Sequence, residues 1–207
     1  IRGRCEEMKA AWTGKAARLI PEIPKKPVWS QFHVLDEYQK MRGDKGMLPV
    51  AYDAANAQVY GIDLRHSYCY MAYGTAHSGK TNFLKVCVQA AMEKGGQVCV
   101  IDQEQQEFKS YASEKIRYAA DEKSIHDLFL ELQHAVVQRN QKKRALLNKD
   151  CEEDELFAAM SEEQPYFIFI ADMKWFIQLV SQSQYDMKGF LVNIISKGSL
   201  LHIYFFS

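Results

Sequence analysis

One short segment constrains the fold of this chain more than any other, because it has a fixed pattern of glycine, lysine and threonine. Residues 74–81 read GTAHSGKT, a complete Gly-x-x-x-x-Gly-Lys-Thr motif. The apolar run before it, Ser67–Tyr73, is predicted to be a strand. The residues after it, Lys80–Lys94, are predicted to be a helix whose apolar face carries Phe83, Leu84, Cys87, Val88 and Ala91. Strand, glycine-rich loop and helix in this order form the arrangement that the motif requires.

Each residue type in the motif suits the binding of phosphate. Glycine lets backbone N–H groups turn toward phosphate oxygens, and a helix start adds the positive end of its dipole. Lys80 is expected to reach the β- and γ-phosphates of a nucleotide, and the Thr81 hydroxyl to ligate Mg²⁺. The motif therefore predicts ATP and Mg²⁺ as ligands of a site formed by Gly74, Thr75, Ala76, His77, Ser78, Gly79, Lys80, Thr81 and Asn82. The alternative is a glycine-rich turn that caps an ordinary helix, and the bulk of His77 could hinder the wrapping of phosphate.

A second part of a nucleotide site is expected at the end of another apolar strand. Tyr166–Ala171 is predicted to be that strand, and Asp172 follows it as an expected Mg²⁺ ligand. A carboxylate that activates water should come next, but Met173 and Lys174 stand there, and neither is the usual base near pH 7. Nucleotide binding is therefore expected, with weak or absent hydrolysis. The alternative role of Asp172 is to cap a helix.

Other charged residues could also contribute to a nucleotide site. Asp102 ends the predicted strand Gln97–Ile101 and could sit near the loop, while Glu104 or Glu107 could replace the missing base. Surface carboxylates are the favoured interpretation of these acids. One basic group near the end of a predicted helix could present an arginine to a neighbouring subunit, although a solvated face is favoured; its members are Arg139, Lys142, Lys143 and Arg144.

Short apolar runs alternate with helical ones from residue 47 onward, which predicts an α/β fold with a largely parallel sheet. Residues 1–46 are predicted to be an N-terminal extension with a proline-rich linker, and residues 47–207 the domain. The further predicted strands are Leu48–Tyr52, Val59–Asp63, Ile116–Tyr118 and His202–Phe206. The further predicted helices are Met8–Leu19, Val34–Met41, Asp121–Leu147 and one or two within Met173–Ser196. Asn148–Glu163 is predicted to be an acidic loop.

Composition narrows the class of protein. The 207 residues carry 26 basic and 26 acidic side chains, so the net charge of zero argues against a chain that binds nucleic acid with its whole surface. Five cysteines without a C-x-x-C pair favour a reducing compartment. The longest apolar runs are far shorter than the roughly 20 residues that cross a bilayer. Because the chain begins with Ile1, it is expected to be a piece of a longer protein.

With these motifs placed, the chain resembles a P-loop ATPase module of the FtsK/SpoIIIE type. More narrowly, it is similar to the C-terminal modules of the EssC/EccC/YukB membrane ATPases of type VII secretion. The loop is shared by many ATPase families, and the Leu-Pro-Val and Gly-Ile-Asp segments before it point to this one. The matching stretches are residues 48–53, 59–64, 74–84, 100–102, 167–172 and 198–203.

This resemblance implies a RecA-like P-loop NTPase domain, with a mostly parallel central sheet flanked by helices. It also implies a place on the cytoplasmic side of the cell membrane, other ATPase modules of the same chain or hexamer as partners, and WXG100-type secretion substrates. Two departures are visible. Met173 gives a degenerate acid pair, and the sequence stops at Ser207 where family domains continue, which predicts a C-terminally truncated domain.

Three functions remain open at this point. The first is an ATP-binding module of a type VII secretion motor with little hydrolysis, supported by intact Lys80 and Thr81. The second is a nucleotide-independent module of the same motor that binds a substrate or partner, favoured by His77 and Met173. The third is an active ATPase or DNA translocase, against whose DNA version the zero net charge argues.

Overall fold

A five-stranded sheet lies at the centre of the protein, as seen in a computed structural model that describes residues 2–14, 22–103, 107–113, 115–149 and 151–207. The strands are β1 (Met47–Tyr52), β2 (Val59–Asp63), β3 (Cys69–Tyr70), β4 (Gln97–Ile101), β5 (Ile116–Ala119), β6 (Tyr166–Ile170) and β7 (Ile203–Phe206). The helices are α1 (Arg2–Ala11), α2 (Trp29–Phe32), α3 (Asp36–Gly43), α4 (Lys80–Glu93), α5 (Glu122–Leu147), α6 (Glu153–Met160), α7 (Met173–Gln182) and α8 (Met187–Lys197). A short 3₁₀ helix covers Lys109–Tyr111.

The order of strands in the sheet is β3-β7-β6-β4-β5, and each neighbouring pair is parallel. The predicted α/β fold with a parallel sheet is therefore confirmed. β7, the last strand in the chain, lies between β3 and β6. Because the strands are parallel, the residues that follow them, including the glycine-rich loop and Asp172, lie at the same edge of the sheet.

Two hydrophobic clusters on opposite faces explain why the central strands are apolar at nearly every position. On one face, Val98, Phe167 and Tyr204 pack against α4 and β1. On the other, Cys99, Ile168 and Ile203 pack against α5, α6, α7 and α8. A parallel strand that is covered on both faces buries the side chains on both of its sides. Its residues are therefore apolar at nearly every position and do not alternate between polar and apolar.

The region before the central sheet packs against it. β1 and β2 form a separate antiparallel hairpin, and β1 contacts α4. The ring of Phe32 lies within 5.2 Å of Tyr38 and 4.9 Å of Tyr52. Trp29 donates a hydrogen bond to Glu93 at the end of α4, 3.2 Å away. Residues 29–43, which lie in the predicted extension, thus share an aromatic cluster with the hairpin.

Most predicted elements are confirmed, and a few differ. The acidic loop prediction for residues 148–163 is wrong, because α6 forms there and buries Leu156 and Met160 on one side. Leu156 and Met160 are four residues apart and so lie on the same face of α6, which packs against the core. The predicted strand over residues 67–73 shortens to β3, and the helix predicted over residues 34–41 begins at Asp36.

The N-terminal helix prediction is met only in part. α1 covers residues 2–11, residues 12–14 are not helical, and residues 15–19 of the predicted helix lie outside the described part of the chain. Among the described residues, no helix combines the length and apolar content needed to cross a membrane.

Candidate functional site

The glycine-rich loop joins β3 to α4 and has a backbone that two left-handed residues shape. His77 has φ of 61° and Gly79, which precedes the first residue of α4, has φ of 92°. Backbone turns of this kind direct successive N–H groups toward one side and form concavities that bind anions. A Cβ atom on Gly74 would lie 2.7 Å from Oγ of Ser78, so a larger residue there would force the serine side chain to move.

Lys80 holds the two ends of the loop together. Its Nζ donates hydrogen bonds to the carbonyl oxygens of Gly74, at 3.0 Å, and Thr75, at 2.8 Å. None of the ion pairs found among the described residues involves Lys80. An ammonium group held by neutral carbonyls keeps its full positive charge available to an anion, which is what a phosphate ligand requires.

The first turn of α4 completes the loop. Thr81 is half-buried and Asn82 is exposed, and the Phe83 N–H donates to the carbonyl of Gly79 at 2.9 Å as the first regular bond of the helix. The N–H groups ahead of it belong to the free start of the helix. The loop, its lysine and this helix start therefore fit a nucleotide phosphate chain, and the predicted roles of Thr81 and Asn82 remain predictions.

Asp172 lies at the same edge of the sheet but on a different strand. It follows β6, two strands from β3, which corresponds to about 10 Å across the sheet. Its Oδ1 accepts a hydrogen bond from the Trp175 N–H at 2.9 Å, so the side chain caps α7. The second oxygen of this carboxylate is the atom that would bind a Mg²⁺ ion.

Met173 follows as the first residue of α7, and it packs partly against the core beneath that helix. The residue that stands where a carboxylate is expected therefore contributes to hydrophobic packing.

Asp102 has a structural role, contrary to the idea that it lies beside the loop. It follows β4, three strands from β3, and is only 1% exposed. Its carboxylate accepts hydrogen bonds from the N–H groups of Gln103 and Phe108 and from the Tyr118 hydroxyl. Burial and this carboxylate raise the pKa of Tyr118 to about 12. Glu107 is exposed in the following turn, and Glu104 lies outside the described residues.

The basic group on α5 is not a single solvated face, and the prediction is corrected for Arg139. Its guanidinium is buried and donates to the carbonyls of Leu201, His202 and Gln164. The amino groups of both lysines also have partners. Lys142 forms an ion pair with Glu163, and Lys143 donates a hydrogen bond to the carbonyl of Ser199. Only Arg144 of the four is exposed. Arg139 is therefore unable to reach a neighbouring subunit.

Sequence reasoning missed the residue that lies between the two parts of the site. Ser207 follows β7, and its N–H donates to the Tyr70 carbonyl at 3.0 Å. Its own carbonyl accepts from the Ala72 N–H at 2.6 Å. Ser207 thus fixes the backbone just before the loop, and its position between β3 and β6 follows from the strand order. A serine directly after an apolar run was the only signal in the sequence.

A cavity of about 920 Å³ lies elsewhere in the described part of the protein. It opens at the amino ends of β4 and β6, where Gln97, Gln164 and Tyr166 line it, and residues 74–82 do not contribute to its lining. The loop itself is an open surface feature, since residues 74–79 are exposed and Lys80 is half-buried. A nucleotide would therefore lie on this edge of the sheet and not inside a closed pocket.

The parallel sheet, the loop before α4 and the strand order define the fold of a P-loop ATPase domain. No family model matches the chain, and no curated protein matches it. Solved structures do match it. The cytoplasmic domain of EssC has a TM-score of 0.74 and 18% identity, covering 99% of this chain and 38% of that one. The ATPase 2 and 3 region of EssC from Geobacillus thermodenitrificans has a TM-score of 0.72 and 19% identity, covering 99% and 35%.

A third structure is EccC (ATPases 2 and 3) from Thermomonospora curvata, solved in complex with a signal sequence peptide. It has a TM-score of 0.62 and 16% identity and covers 97% of this chain and 34% of that one. This chain therefore has the fold of the EssC and EccC ATPase domains and spans little more than a third of the chains it matches. The likeness was expected from the sequence and is confirmed at the level of the fold.

Proposed function

We propose that this chain is an ATP-binding module of a type VII secretion motor of the EssC type. The observation that carries the proposal is the geometry of Lys80, whose amine is held between the carbonyls of Gly74 and Thr75 and forms no ion pair with an acid of the described residues. The backbone N–H groups of the loop and the start of α4 would bind the phosphates, and Lys80 would balance their charge. Thr81 and Asp172 would hold Mg²⁺, which supplies charge neutralisation on the phosphates when bound.

Weak or absent hydrolysis is the second part of the proposal. Met173 cannot accept a proton from water, and Asp102 is buried and occupied by three donors. ATP would then act as a structural or regulatory ligand that orders the loop edge, with turnover left to other modules.

The assembly in which the module acts is inferred from its structural neighbours. They are chains with more than one ATPase domain, so other modules of the same chain or hexamer are proposed as partners. The complex of EccC with a signal sequence peptide supports a secreted polypeptide as a further partner class, and the resemblance in sequence implies the WXG100 type. A location on the cytoplasmic side of a membrane, reached through the rest of the parent protein, is part of the same proposal.

Thermal unfolding with and without millimolar Mg-ATP tests the binding proposal. A ligand at 100 times its Kd stabilises the folded state by about 2.7 kcal/mol, and for about 200 residues this raises Tm by roughly 5–10 °C. We expect this rise in the wild type and its loss in Lys80→Ala. Lys40→Ala removes an exposed lysine of α3 and should keep the full rise. A wild-type Tm that ATP leaves unchanged would reject the proposal.

Phosphate release tests the hydrolysis proposal separately. The wild type should release phosphate no faster than Lys80→Ala, and Met173→Glu should release it faster, because the substitution places a carboxylate directly after Asp172. Met173→Gln is the matched control, since glutamine has nearly the size of glutamate and a polar side chain but no basic carboxylate. Wild-type turnover well above the Lys80→Ala background would show that the module is an active ATPase.

A second candidate function is a module that binds a substrate or partner without nucleotide. The observation that favours it is the cap that Asp172 forms on α7, since one carboxylate oxygen is already occupied there. Under this function ATP leaves Tm unchanged in both the wild type and Lys80→Ala, and a secretion substrate binds equally well with and without ATP.

A further inference from the structure

We propose that His77 makes the loop prefer a nucleoside triphosphate over a diphosphate, by donating a ring N–H to the terminal phosphate. This inference rests on the proposed nucleotide-binding function and names a specificity-determining residue within it.

The position of Lys80 indicates which part of the loop faces the terminal phosphate. Its amine lies against the carbonyls of Gly74 and Thr75, at the start of the loop. A P-loop lysine contacts the β- and γ-phosphates, while the helix start binds the phosphate nearest to it. The γ-phosphate therefore belongs on the side of residues 74–77, and His77 is a member of that half.

The side chain of His77 is available for such a contact. It is exposed, and no hydrogen bond or ion pair with another described residue occupies its ring. Apart from Lys80, it is the only side chain of the motif that can carry a positive charge. A neutral imidazole also has one N–H, so the contact does not depend on protonation.

The backbone gives a reason why a side chain at this position matters. At φ of 61° His77 occupies the left-handed region, where glycine is free of the steric cost that a Cβ imposes. The loop shape would therefore be easier to form with glycine, and the imidazole is present despite that cost. The left-handed φ also fixes the direction in which the Cβ leaves the loop, so the ring has a restricted set of positions.

The same observations permit the opposite effect, in which the ring obstructs the phosphates. The two effects differ in what they do to ATP and ADP. A donor to the terminal phosphate strengthens the binding of ATP alone, because ADP lacks the γ-phosphate. An obstacle to wrapping weakens both nucleotides, because both place phosphates in the loop.

Isothermal titration calorimetry of Mg-ATP and Mg-ADP with four proteins separates these cases. The proteins are the wild type, His77→Asn, His77→Gly and Lys80→Ala. Asparagine tolerates the left-handed region and so keeps the loop shape while shortening the donor. We expect His77→Asn and His77→Gly to bind ATP about tenfold more weakly than the wild type, as loss of a hydrogen bond to a charged group implies, with ADP changed less than twofold.

Each other result has a defined meaning. If both His77 variants keep the wild-type ratio of ATP to ADP affinity, His77 does not read the terminal phosphate, although the nucleotide function stands. If His77→Gly binds both nucleotides more tightly, the ring is an obstacle and the inference is wrong. If the wild type binds neither nucleotide, the proposed function is wrong and the inference is wrong with it. If both are right, Lys80→Ala is the only one of the four proteins that loses the binding of ATP and of ADP.

Discussion

Arg139 brings a charge into the interior of the protein, and its three carbonyl partners account for its position. The guanidinium lies 5.0 Å from the centre of the Tyr166 ring and donates to the carbonyls of Gln164, Leu201 and His202. Burial lowers its pKa from the ordinary value, but an arginine stays charged at any pH that a protein survives. The side chain therefore ties α5 to the turn that leads into β7.

Replacing Arg139 should be costly. Arg139→Ala leaves buried carbonyls without donors, and we expect the free energy of unfolding to fall by about 3 kcal/mol. Urea denaturation followed by circular dichroism measures the change. Arg144→Ala, on the exposed part of the same helix, is the control and should change stability by less than about 0.5 kcal/mol. Equal stability of the two variants would mean that the buried hydrogen bonds contribute little.

His202 predicts a dependence of stability on pH. It is 4% exposed, neither ring nitrogen has a hydrogen-bond partner among the described residues, and burial lowers its pKa to about 4. The positive charges of Arg139, Lys94 and Lys45 contribute to this lowering of the pKa, and a contact with the backbone of Glu163 opposes it. The unfolded chain takes up a proton near pH 6.5 while the folded protein does not. Stability is therefore complete above pH 6.5 and is lost as pH falls toward 4.

The variant His202→Asn isolates this contribution. Asparagine tolerates the left-handed φ of 57° at this position, and it does not titrate. Between pH 6.5 and 4 the wild type should lose up to about 1.4 kcal/mol more per pH unit than the variant. Urea denaturation at several pH values measures the two slopes, with His66→Asn, an exposed histidine, expected to match the wild type. Parallel slopes in all three proteins would contradict the prediction.

At the scale of the element, α7 is capped by Asp172, which is also the expected Mg²⁺ ligand, so one side chain has two separable roles. Asp172→Asn keeps the cap on α7, because asparagine caps a helix about as well as aspartate. Its unfolding free energy should stay within about 0.5 kcal/mol of the wild type, while the stabilisation by Mg-ATP falls. Asp172→Ala should lose about 1 kcal/mol as well as that stabilisation.

Denaturation in urea with and without Mg-ATP distinguishes the two roles. Full stabilisation of Asp172→Asn by Mg-ATP would show that the side chain is only a cap. Loss of stability in Asp172→Asn equal to that in Asp172→Ala would show that the cap itself needs the negative charge.

Helices and strands with a strong apolar period were predictable from the sequence, and weakly patterned ones were not. α5 was predicted from its regular apolar stripe, and in the structure Asp121 and Ser124 form reciprocal capping bonds at its start. α6 was missed, because its acidic residues outnumber Leu156 and Met160, which hold it in place only through tertiary contacts. β3 was predicted too long, since an apolar run does not say how many of its residues find a partner strand.

The site was predictable as a motif and not as an arrangement. Residues 74–81 identify the loop by spacing alone, whereas the separation of Asp172 and Asp102 from it depends on the strand order. Strand order is a long-range property that no local pattern encodes. For the same reason the burial of Arg139 was missed, because its partners lie on turns far away in sequence.

At the scale of the whole molecule, the strand order also determines when the edge of the sheet that carries the loop can form during synthesis. β3 leads into the loop, but in the described sheet its neighbour is β7, which is translated about 130 residues later. A growing chain emerges with its N-terminal part first. The loop residues therefore leave the ribosome well before the strand that fixes them, so this edge of the sheet is completed only late in folding.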